Sequence, residues 1–512
     1  MLTGLILTDT YRLASMLCDT HDRVINAISS YVSACASFIC WHVVDISDEL
    51  YDGTDETDWR TFASALNDFY IGLGLSDSNY CPLFILGGDD IVPMPKIANP
   101  LIGAGNEHLY SDMAYCFDLS TGEVRLEDFI SLMPRFAVGR LPLLKEWGVD
   151  GLAAYLNESV DLAIDGIPIS GAAMTTTQSW LRASNEMMRD IPTALLSEDY
   201  VPLNNRMIVS PELDTQYEEM YAGYVHELKK IDFLVCNLHG DKSYETPFFI
   251  GEDNAHERYT VATQPQMMSE SAPYIFNTVA CYGARYIGYN LEESMMMTAL
   301  SYGTMLYCGA CDVALGGTDM EGCSELLMKL YNIYLHKGIP AGLALIKAKQ
   351  DYFRTCHNGD EDERAMFTIL EFNLFGCPIL SMQPKIAFDY RAILLGNPTD
   401  EHSKVRYRPK TVEVVAGGAH RADDIHAYVR DLVDNNLSII RQKVETEVYQ
   451  RLGLSKDNLQ QVMRVSQDNR SLGYQFLYAR SPKQSYSKRG FSMFYIVDTD
   501  NEGEITKIIH TK

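Results

Sequence analysis

The sequence predicts an α/β protein with a mainly parallel sheet and helices on both faces, in two adjoining α/β units followed by a C-terminal α+β extension. Continuous apolar runs such as CPLFIL and FLVCNL have the composition of strands that are buried on both sides. Segments with apolar residues at helical spacing, such as DWRTFASALNDFYIG, alternate with these runs along the chain. This alternation is typical of helices that cover both faces of a parallel sheet.

The first unit, residues 1–140, is predicted to follow the order β-α-β-α-β, and after a loop rich in Gly and Asn the chain returns in one more short strand. The last of the five, CPLFIL, ends in Gly-Gly-Asp-Asp, which is expected to form a turn. The segments that carry this prediction are, in order, LTGLILTD, YRLASMLCDTHDRVINAISSYV, SFICWHVVDI, DWRTFASALNDFYIGLG, YCPLFILGG and RFAVGRLP.

The second unit, residues 141–383, continues the alternation. Its strands are predicted in SGAAMTTTQ, NRMIVSPEL, IDFLVCNLH, YIFNTVAC, TMLYCGA and FNLFG. Its helices are predicted in WGVDGLAAYLNESVDLAI, SWLRASNEMMRDIPTALL, DTQYEEMYAGYVHELKK, the segment around LEESMMMTALS, SELLMKLYNIYLHKG and PAGLALIKAKQDYFRTC. A polar insert, residues 241–271, separates two of these strands and is expected to be a substrate-facing loop.

The C-terminal part, residues 384–512, differs in pattern from the two units. Helices are predicted in ADDIHAYVRDLVDN and LSIIRQKVETEVYQRLG, and the final segments LGYQFLYARS, GFSMFYIVDTD and EITKIIHT are rich in β-forming residues. A small antiparallel sheet is therefore expected. We expect this part to stabilise the rest of the chain, and binding of a regulatory partner is the alternative.

Composition narrows the class of protein. The hydrophobic fraction of 46% and the charged fraction of 22% are ordinary for a globular protein. The net charge of −27 disfavours a nucleic-acid or anionic-membrane partner and suits a basic peptide. The N-terminal stretch lacks the features of a signal peptide, and no apolar run is long enough to span a membrane. The 12 cysteines are scattered, often within apolar runs, which favours a reducing, cytoplasmic location.

Two apolar runs of the second unit end in reactive side chains. One run ends at His239-Gly240 and the next ends at Cys281. In an open α/β sheet the carboxyl ends of parallel strands form the edge where ligands bind. An imidazole beside a thiol lowers the thiol pKa and can protonate a leaving amine. The pair therefore predicts acyl transfer, with Cys281 as nucleophile and His239 as base.

A glycine next to the base is also expected to take part. Gly240 leaves room for a substrate backbone, and its N–H group, together with that of Cys281, would form an oxyanion hole. The alternative is structural, because a cysteine at a strand end is commonly a small buried hydrophobe and His-Gly is commonly a turn.

The order of motifs resembles the caspase-like cysteine peptidases, most closely the gingipain family. That family carries His-Gly after one strand, Ala-Cys after the next, and then a helix and a strand introduced by Gly. The residues that match are His239-Gly240, Ala280-Cys281, the helix around LEESMMMTALS, Gly303 before TMLYCGA, and the outlying segments CPLFILGGDDIVPMP, LYSDMAYCF, RFAVGRLPL and FNLFGCPIL. The resemblance extends from about Leu83 to Leu380.

The resemblance implies a substrate pocket. Asp112 in LYSDMAYCF matches a family aspartate that reaches the specificity pocket, which implies cleavage after Arg or Lys, with Thr278 and Val279 as the pocket wall. The chain departs from the family at Cys377, where Asp is usual, and at Asp241, where small residues are common. The predicted cytoplasmic location also departs from the family, whose members are typically exported.

The sequence therefore predicts a cysteine endopeptidase that acts on protein or peptide substrates. The alternative from another class is a catalytically silent caspase-like scaffold or interaction protein, and retention of both Cys281 and His239 favours the enzyme. A nucleotide-binding module is disfavoured, because the chain lacks the glycine-rich signature of such modules. No cofactor is expected, although Asp89 and Asp90 leave room for a structural Ca²⁺ ion.

Overall fold

The structure is a computed structural model of the 512-residue chain. It describes residues 2–47, 58–75, 81–101, 107–117, 134–169, 171–188, 207–210, 231–240, 248–252, 258–263, 272–317, 323–356, 362–382, 411–417, 435–467, 470–480 and 493–511. The helices predicted in DTQYEEMYAGYVHELKK and ADDIHAYVRDLVDN lie outside these residues.

The first part of the chain alternates strands and helices in the predicted order, but the single helix predicted over YRLASMLCDTHDRVINAISSYV is two helices, and the short strands Lys96–Ala98 and His108–Tyr110 were not predicted. Helix starts at Thr10 and Trp59 each follow an aspartate that accepts a hydrogen bond from a backbone N–H of the first turn. The elements are β1 (Leu2–Thr8), α1 (Thr10–Met16), α2 (His21–Cys35), β2 (Ile39–Asp45), α3 (Trp59–Gly72), β3 (Cys81–Leu86), β4 (Lys96–Ala98), β5 (His108–Tyr110) and β6 (Phe136–Leu141).

The second part continues the alternation, and the helix Asp362–Glu371 and the short strand Leu315–Gly317 were not predicted. The insert expected to be a loop contributes two strands, Phe248–Glu252 and Arg258–Thr263, to a small antiparallel sheet with the strand His239–Gly240. The elements are α4 (Gly148–Asp165), β7 (Ala172–Thr177), α5 (Leu181–Met188), β8 (Met207–Ser210), β9 (Phe233–Asn237), β10 (His239–Gly240), β11 (Phe248–Glu252), β12 (Arg258–Thr263), β13 (Ile275–Thr278), α6 (Met295–Ser301), β14 (Leu306–Ala310), β15 (Leu315–Gly317), α7 (Ser324–His336), α8 (Ala341–Cys356), α9 (Asp362–Glu371) and β16 (Phe372–Gly376).

Ten strands form the main sheet in the order β2-β1-β3-β6-β16-β14-β13-β9-β7-β8. The first five strands run parallel to one another, and so do the last five. The two halves meet at the antiparallel pair β14/β16. The α/β fold with a mainly parallel sheet is therefore confirmed, and it is consistent with the predicted caspase-like class.

Apolar side chains on the two faces of the sheet belong to different core clusters. Phe233 and Val235 of β9 pack in the larger cluster, which also includes Leu327 of α7. Leu234 lies in the second cluster with Met296 of α6. Neighbouring residues of a strand point to opposite faces, so helices cover both sides of this half of the sheet, as predicted.

The C-terminal elements form an antiparallel sheet with a core cluster of its own, while Leu477, Ile496 and Ile509 belong to the larger cluster. The sheet order is β15-β21-β20-β19-β18-β17, so its first strand comes from the second part of the chain. Helix α10 packs on the sheet through Val444 and Val448, beside Phe476 and Val497. The elements are β17 (Thr411–Gly417), α10 (Asn435–Leu452), β18 (Leu459–Gln467), β19 (Arg470–Arg480), β20 (Met493–Thr499) and β21 (Ile505–Thr511).

The predicted boundaries between the three parts stay predictions. Strand β6 ends at Leu141, next to the first boundary, yet β16 from the second part joins the first half of the sheet beside β6. Among the described residues, no helix is both long and apolar enough to cross a membrane.

Candidate active site

Strands β9 and β13 lie side by side in the main sheet and run in the same direction. Thr278 at the end of β13 is in register with Cys236 near the end of β9. The chain then continues from β9 to His239 and from β13 to Cys281, so both residues lie at one edge of the sheet. The adjacency that the sequence predicted for these two strand ends is present.

The backbone of Gly240 packs directly against the nucleophile candidate. A Cβ atom placed on Gly240 would lie 1.8 Å from the carbonyl oxygen of Cys281, which is far inside van der Waals contact. Only glycine fits at this close approach. The roles of the Gly240 and Cys281 N–H groups as oxyanion donors stay predictions, but the close approach between the two residues is a property of the fold.

His239 is fully buried and bonds to a carboxylate that the sequence analysis did not single out. Its Nε2 lies 2.7 Å from Oε2 of Glu252, which is also buried. Strand pairing explains the contact, because β10 and β11 are antiparallel and His239 is in register with Ile250, two residues before Glu252. The one available signal was an acidic residue that ends the apolar run FFIGE.

Two further side chains position this pair. The hydroxyl of Thr177, at the end of β7, donates a short hydrogen bond to the backbone carbonyl of Glu252. The ring of Trp180, three residues later, packs on His239 with 4.2 Å between ring centroids and a 59° angle between the planes. Both come from the carboxyl end of β7, so a third strand of the same sheet edge contributes to the site.

Cys281 lies in a tight turn and contacts the chain that follows β14. Its Sγ accepts a hydrogen bond from the N–H of Ala314 at 3.2 Å and lies 3.5 Å from the carbonyl oxygen of the same residue. The next residue, Tyr282, has a φ of 56°, which is uncommon for a bulky side chain. Its N–H donates to the carbonyl of Asp312 at 2.7 Å, which holds the turn.

The predicted specificity residue Asp112 is buried and already paired with a cation of the chain. Nε and Nη2 of Arg140 donate to its two carboxylate oxygens at 2.8 and 2.6 Å. Nη1 of Arg140 donates to the carbonyl oxygens of Gly87 and Val92. Burial by itself would lower the pKa of Arg140, but Asp112 outweighs it and raises that pKa. This pairing argues against Asp112 as a group that binds a substrate cation.

The predicted pocket wall is also part of the packed interior. Val279 belongs to the larger core cluster, and its N–H donates to the carbonyl of Cys236. The hydroxyl of Thr278 accepts a hydrogen bond from the N–H of Ala280 at 3.1 Å. These contacts shape the turn before Cys281, and the role of Thr278 and Val279 in substrate binding stays a prediction.

The aspartates considered for a structural Ca²⁺ ion form a turn. Oδ1 of Asp89 accepts a hydrogen bond from the N–H of Met94 at 2.7 Å, and burial raises the pKa of Asp90. Within the described part of the chain, no three His, Cys, Asp or Glu side chains are arranged to hold a metal ion.

Comparison with known proteins gives one distant structural neighbour to report. No protein family and no curated protein matches the sequence. A solved structure described as "Structure of Protease" is similar over 100% of this chain and 97% of its own chain, with 10% sequence identity and a TM-score of 0.44.

Proposed function

We propose that this chain is a cysteine endopeptidase in which Cys281 is the nucleophile, His239 the base and Glu252 the residue that orients the base. The observation that carries the proposal is the buried His239–Glu252 pair, whose neighbour Gly240 packs against the backbone of Cys281. A nucleophile, a base and a third group that orients the base are the components of nucleophilic acyl transfer.

Glu252 determines which ring nitrogen of His239 faces the reaction. A carboxylate that accepts from Nε2–H favours the tautomer with the lone pair on Nδ1. Nδ1 then takes the thiol proton, and the Cys281 thiolate attacks the substrate carbonyl carbon, forming a C–S bond. The C–N bond breaks as His239 returns the proton to the leaving amine. Water, activated by His239, attacks the thioester and releases the acid and the free thiol.

The substrate class is an extended protein or peptide segment. The net charge of −27 favours a basic segment, and cleavage after Arg or Lys remains the proposed specificity on that ground. Asp112 does not contribute to this argument, because its carboxylate is engaged by Arg140.

A catalytically silent scaffold is the second candidate. Burial favours it, since His239 and Cys281 are each 0% exposed. A substrate reaches these residues only if the elements that cover them move. Loss of activity in a silent relative usually follows loss of the nucleophile or the base, and this chain keeps both.

Hydrolysis of a library of peptide amides, followed by mass spectrometry, tests the proposal. We expect cleavage by the unaltered protein and none by Cys281→Ala. The matched control is Cys308→Ala on the neighbouring strand β14, where burial raises the thiol pKa to about 12 and the thiol is therefore inert. Cleavage by Cys281→Ala at an undiminished rate would refute the assignment. No cleavage of any peptide by any form of the protein would favour the scaffold.

A further inference from the structure

The final strand of the chain pairs with the segment that contacts the nucleophile candidate. Strand β15 begins at Leu315, directly after Ala314, whose N–H and carbonyl contact Sγ of Cys281. Strand β21 pairs with β15 in the antiparallel sense. The register sets Gly317 opposite Ile509 and Leu315 opposite Thr511. A backbone in the position of β21 therefore runs beside the nucleophile.

The direction of β21 is that of a peptide whose acyl part approaches the nucleophile. Residue numbers fall along β15 from Gly317 towards Ala314, while those of its partner rise from Ile509 to Thr511. A polypeptide in this orientation has its carboxyl end nearest Cys281. An endopeptidase substrate has the same direction, because the carbonyl carbon of the residue before the scissile bond must reach the nucleophile. Exposed strand edges bind extended peptides through backbone hydrogen bonds of this kind.

Strand β21 is also connected to the candidate base His239, indirectly, by way of the ring of Trp180. The ring of His510 stacks on Trp180 with 5.6 Å between centroids and 25° between planes. Trp180 in turn packs on His239. His510 is itself covered by Tyr495 of β20. The C-terminal sheet therefore adjoins both halves of the site: β15 begins directly after the residue that contacts Cys281, and His510 stacks on the ring that packs on His239.

An ion pair outside the site fastens the C-terminal sheet to the rest of the protein. Arg364 of α9 binds both carboxylate oxygens of Asp498 on β20, each at 2.5 Å. Burial opposes ionisation of Asp498, but Arg364 outweighs it and lowers the pKa of that carboxyl group. Arg364 belongs to α9 and not to the strand ends that bear Cys281 and His239, so a substitution there leaves both of those residues in place.

We propose that β21 is a built-in occupant of the substrate-binding edge of β15, so that the C-terminal sheet limits access to the site and the unaltered protein acts only through the fraction of molecules in which β21 has withdrawn. The inference rests on the proposed function, because it takes Cys281 as the group to be covered. Closure by β21 would explain why Cys281 and His239 are fully buried, although both are present as a candidate catalytic pair. An extended polypeptide substrate would take the place of β21.

The experiment measures alkylation of Cys281 by iodoacetamide, read by mass spectrometry in the full chain, because alkylation depends on thiol access and needs no turnover. In Arg364→Gln we expect at least tenfold faster alkylation than in the unaltered protein. The matched control is Arg441→Gln, which removes an ion pair within α10. A synthetic peptide with the sequence ITKIIHT should slow alkylation of Arg364→Gln.

A second experiment uses a cross-link, and it tests the proposal by itself if Arg364→Gln does not fold. Leu315→Cys combined with Thr511→Cys introduces thiols at opposite positions of the antiparallel pair, at a spacing that a disulfide spans. Oxidation should slow alkylation of Cys281 at least tenfold, and a reductant should restore it. Leu315→Cys alone is the control.

The outcomes separate this inference from the proposed function. Alkylation that is no faster in folded Arg364→Gln than in the unaltered protein, or no slower after cross-linking, would overturn the closure by β21. Faster alkylation in Arg364→Gln without peptide cleavage by any variant would support the closure by β21 and refute the proposed peptidase activity.

Discussion

Nε2 of His239 lies 2.7 Å from Oε2 of Glu252, and both side chains are buried. The contact exists because the strand that contains His239 pairs with the strand that ends at Glu252. A carboxylate in this position fixes the ring and its tautomer, and in the proposed mechanism it would stabilise the imidazolium form of His239. In the proposed mechanism Glu252 therefore acts through His239, as a positioning residue.

We expect Glu252→Gln to reduce kcat/KM by on the order of 10²- to 10⁴-fold, because a glutamine amide can donate to Nε2 and stabilise the wrong tautomer. The measurement is peptide-amide hydrolysis across a pH series, in which the acid limb should shift while KM changes little. Glu158→Gln, at an exposed position of α4, is the control. An unchanged kcat/KM and pH profile would show that Glu252 has only a structural role.

The close approach of Gly240 to Cys281 gives a steric prediction. Gly240→Ala would place a Cβ 1.8 Å from the Cys281 carbonyl oxygen, so the two strand ends must separate. We expect a loss of stability of about 1–3 kcal/mol and a large fall in kcat/KM, measured by urea unfolding and peptide hydrolysis. Gly72→Ala is the matched control, since a Cβ there meets no atom within 4 Å. A Gly240→Ala protein that equals the unaltered protein in both assays would contradict this packing.

The buried pair of Asp112 and Arg140 predicts an effect on stability rather than on specificity. Asp112→Asn removes the charge that offsets the fully buried guanidinium of Arg140, so we expect unfolding to become easier by about 3–5 kcal/mol. The ratio of kcat/KM for peptides with Arg and with Leu before the scissile bond should stay unchanged. These two quantities are measured by urea unfolding and by hydrolysis of matched peptide amides.

Asp150→Asn is the control for charge, because Asp150 pairs with Arg23 at the protein surface. A stable Asp112→Asn protein that had lost its preference for Arg would restore the specificity role predicted from the sequence.

Local sequence was sufficient to predict the buried parallel strands of the main sheet and most helices, and with them the neighbouring strand ends that His239 and Cys281 follow. Each strand is a short apolar run, and two neighbouring runs of this kind end at these residues. Glu252 was missed because its contact depends on the register of a hairpin in a segment that is polar at both ends. The register of β10 against β11 is a pairing between strands, which the composition of either strand does not determine.

Longer-range contacts were harder still to predict. The Asp112–Arg140 pair depends on the placement of a loop over β6, and the pairing of β15 with β21 joins segments far apart in sequence. The three-residue strand LGG has little side-chain pattern, so its partner could not be inferred. The segment that lies beside the candidate site could therefore not be predicted from the strand pattern alone.

The last prediction concerns acid stability and rests on His336 of α7. His336 is fully buried, packs against Phe233 of β9, and its Nδ1 lies 2.8 Å from the carbonyl oxygen of Asn332. Burial lowers the pKa of His336 from 6.5 to about 4, although the bond to Asn332 opposes this shift. Between these two values the unfolded chain binds a proton that the folded chain does not.

The contribution of His336 to the free energy of unfolding is therefore fully present above about pH 6.5. It falls as the pH drops towards 4, by about 3 kcal/mol in total. We expect His336→Asn, whose amide can still donate to Asn332, to lose less stability than the unaltered protein between pH 7 and pH 4.5. Urea unfolding at several pH values measures the difference, and His42→Asn at a half-buried position of β2 is the control. Contributions from carboxyl groups are common to all three proteins and cancel in the comparison. Parallel stability curves for His336→Asn and the unaltered protein would mean that His336 takes up its proton equally in the folded and unfolded states.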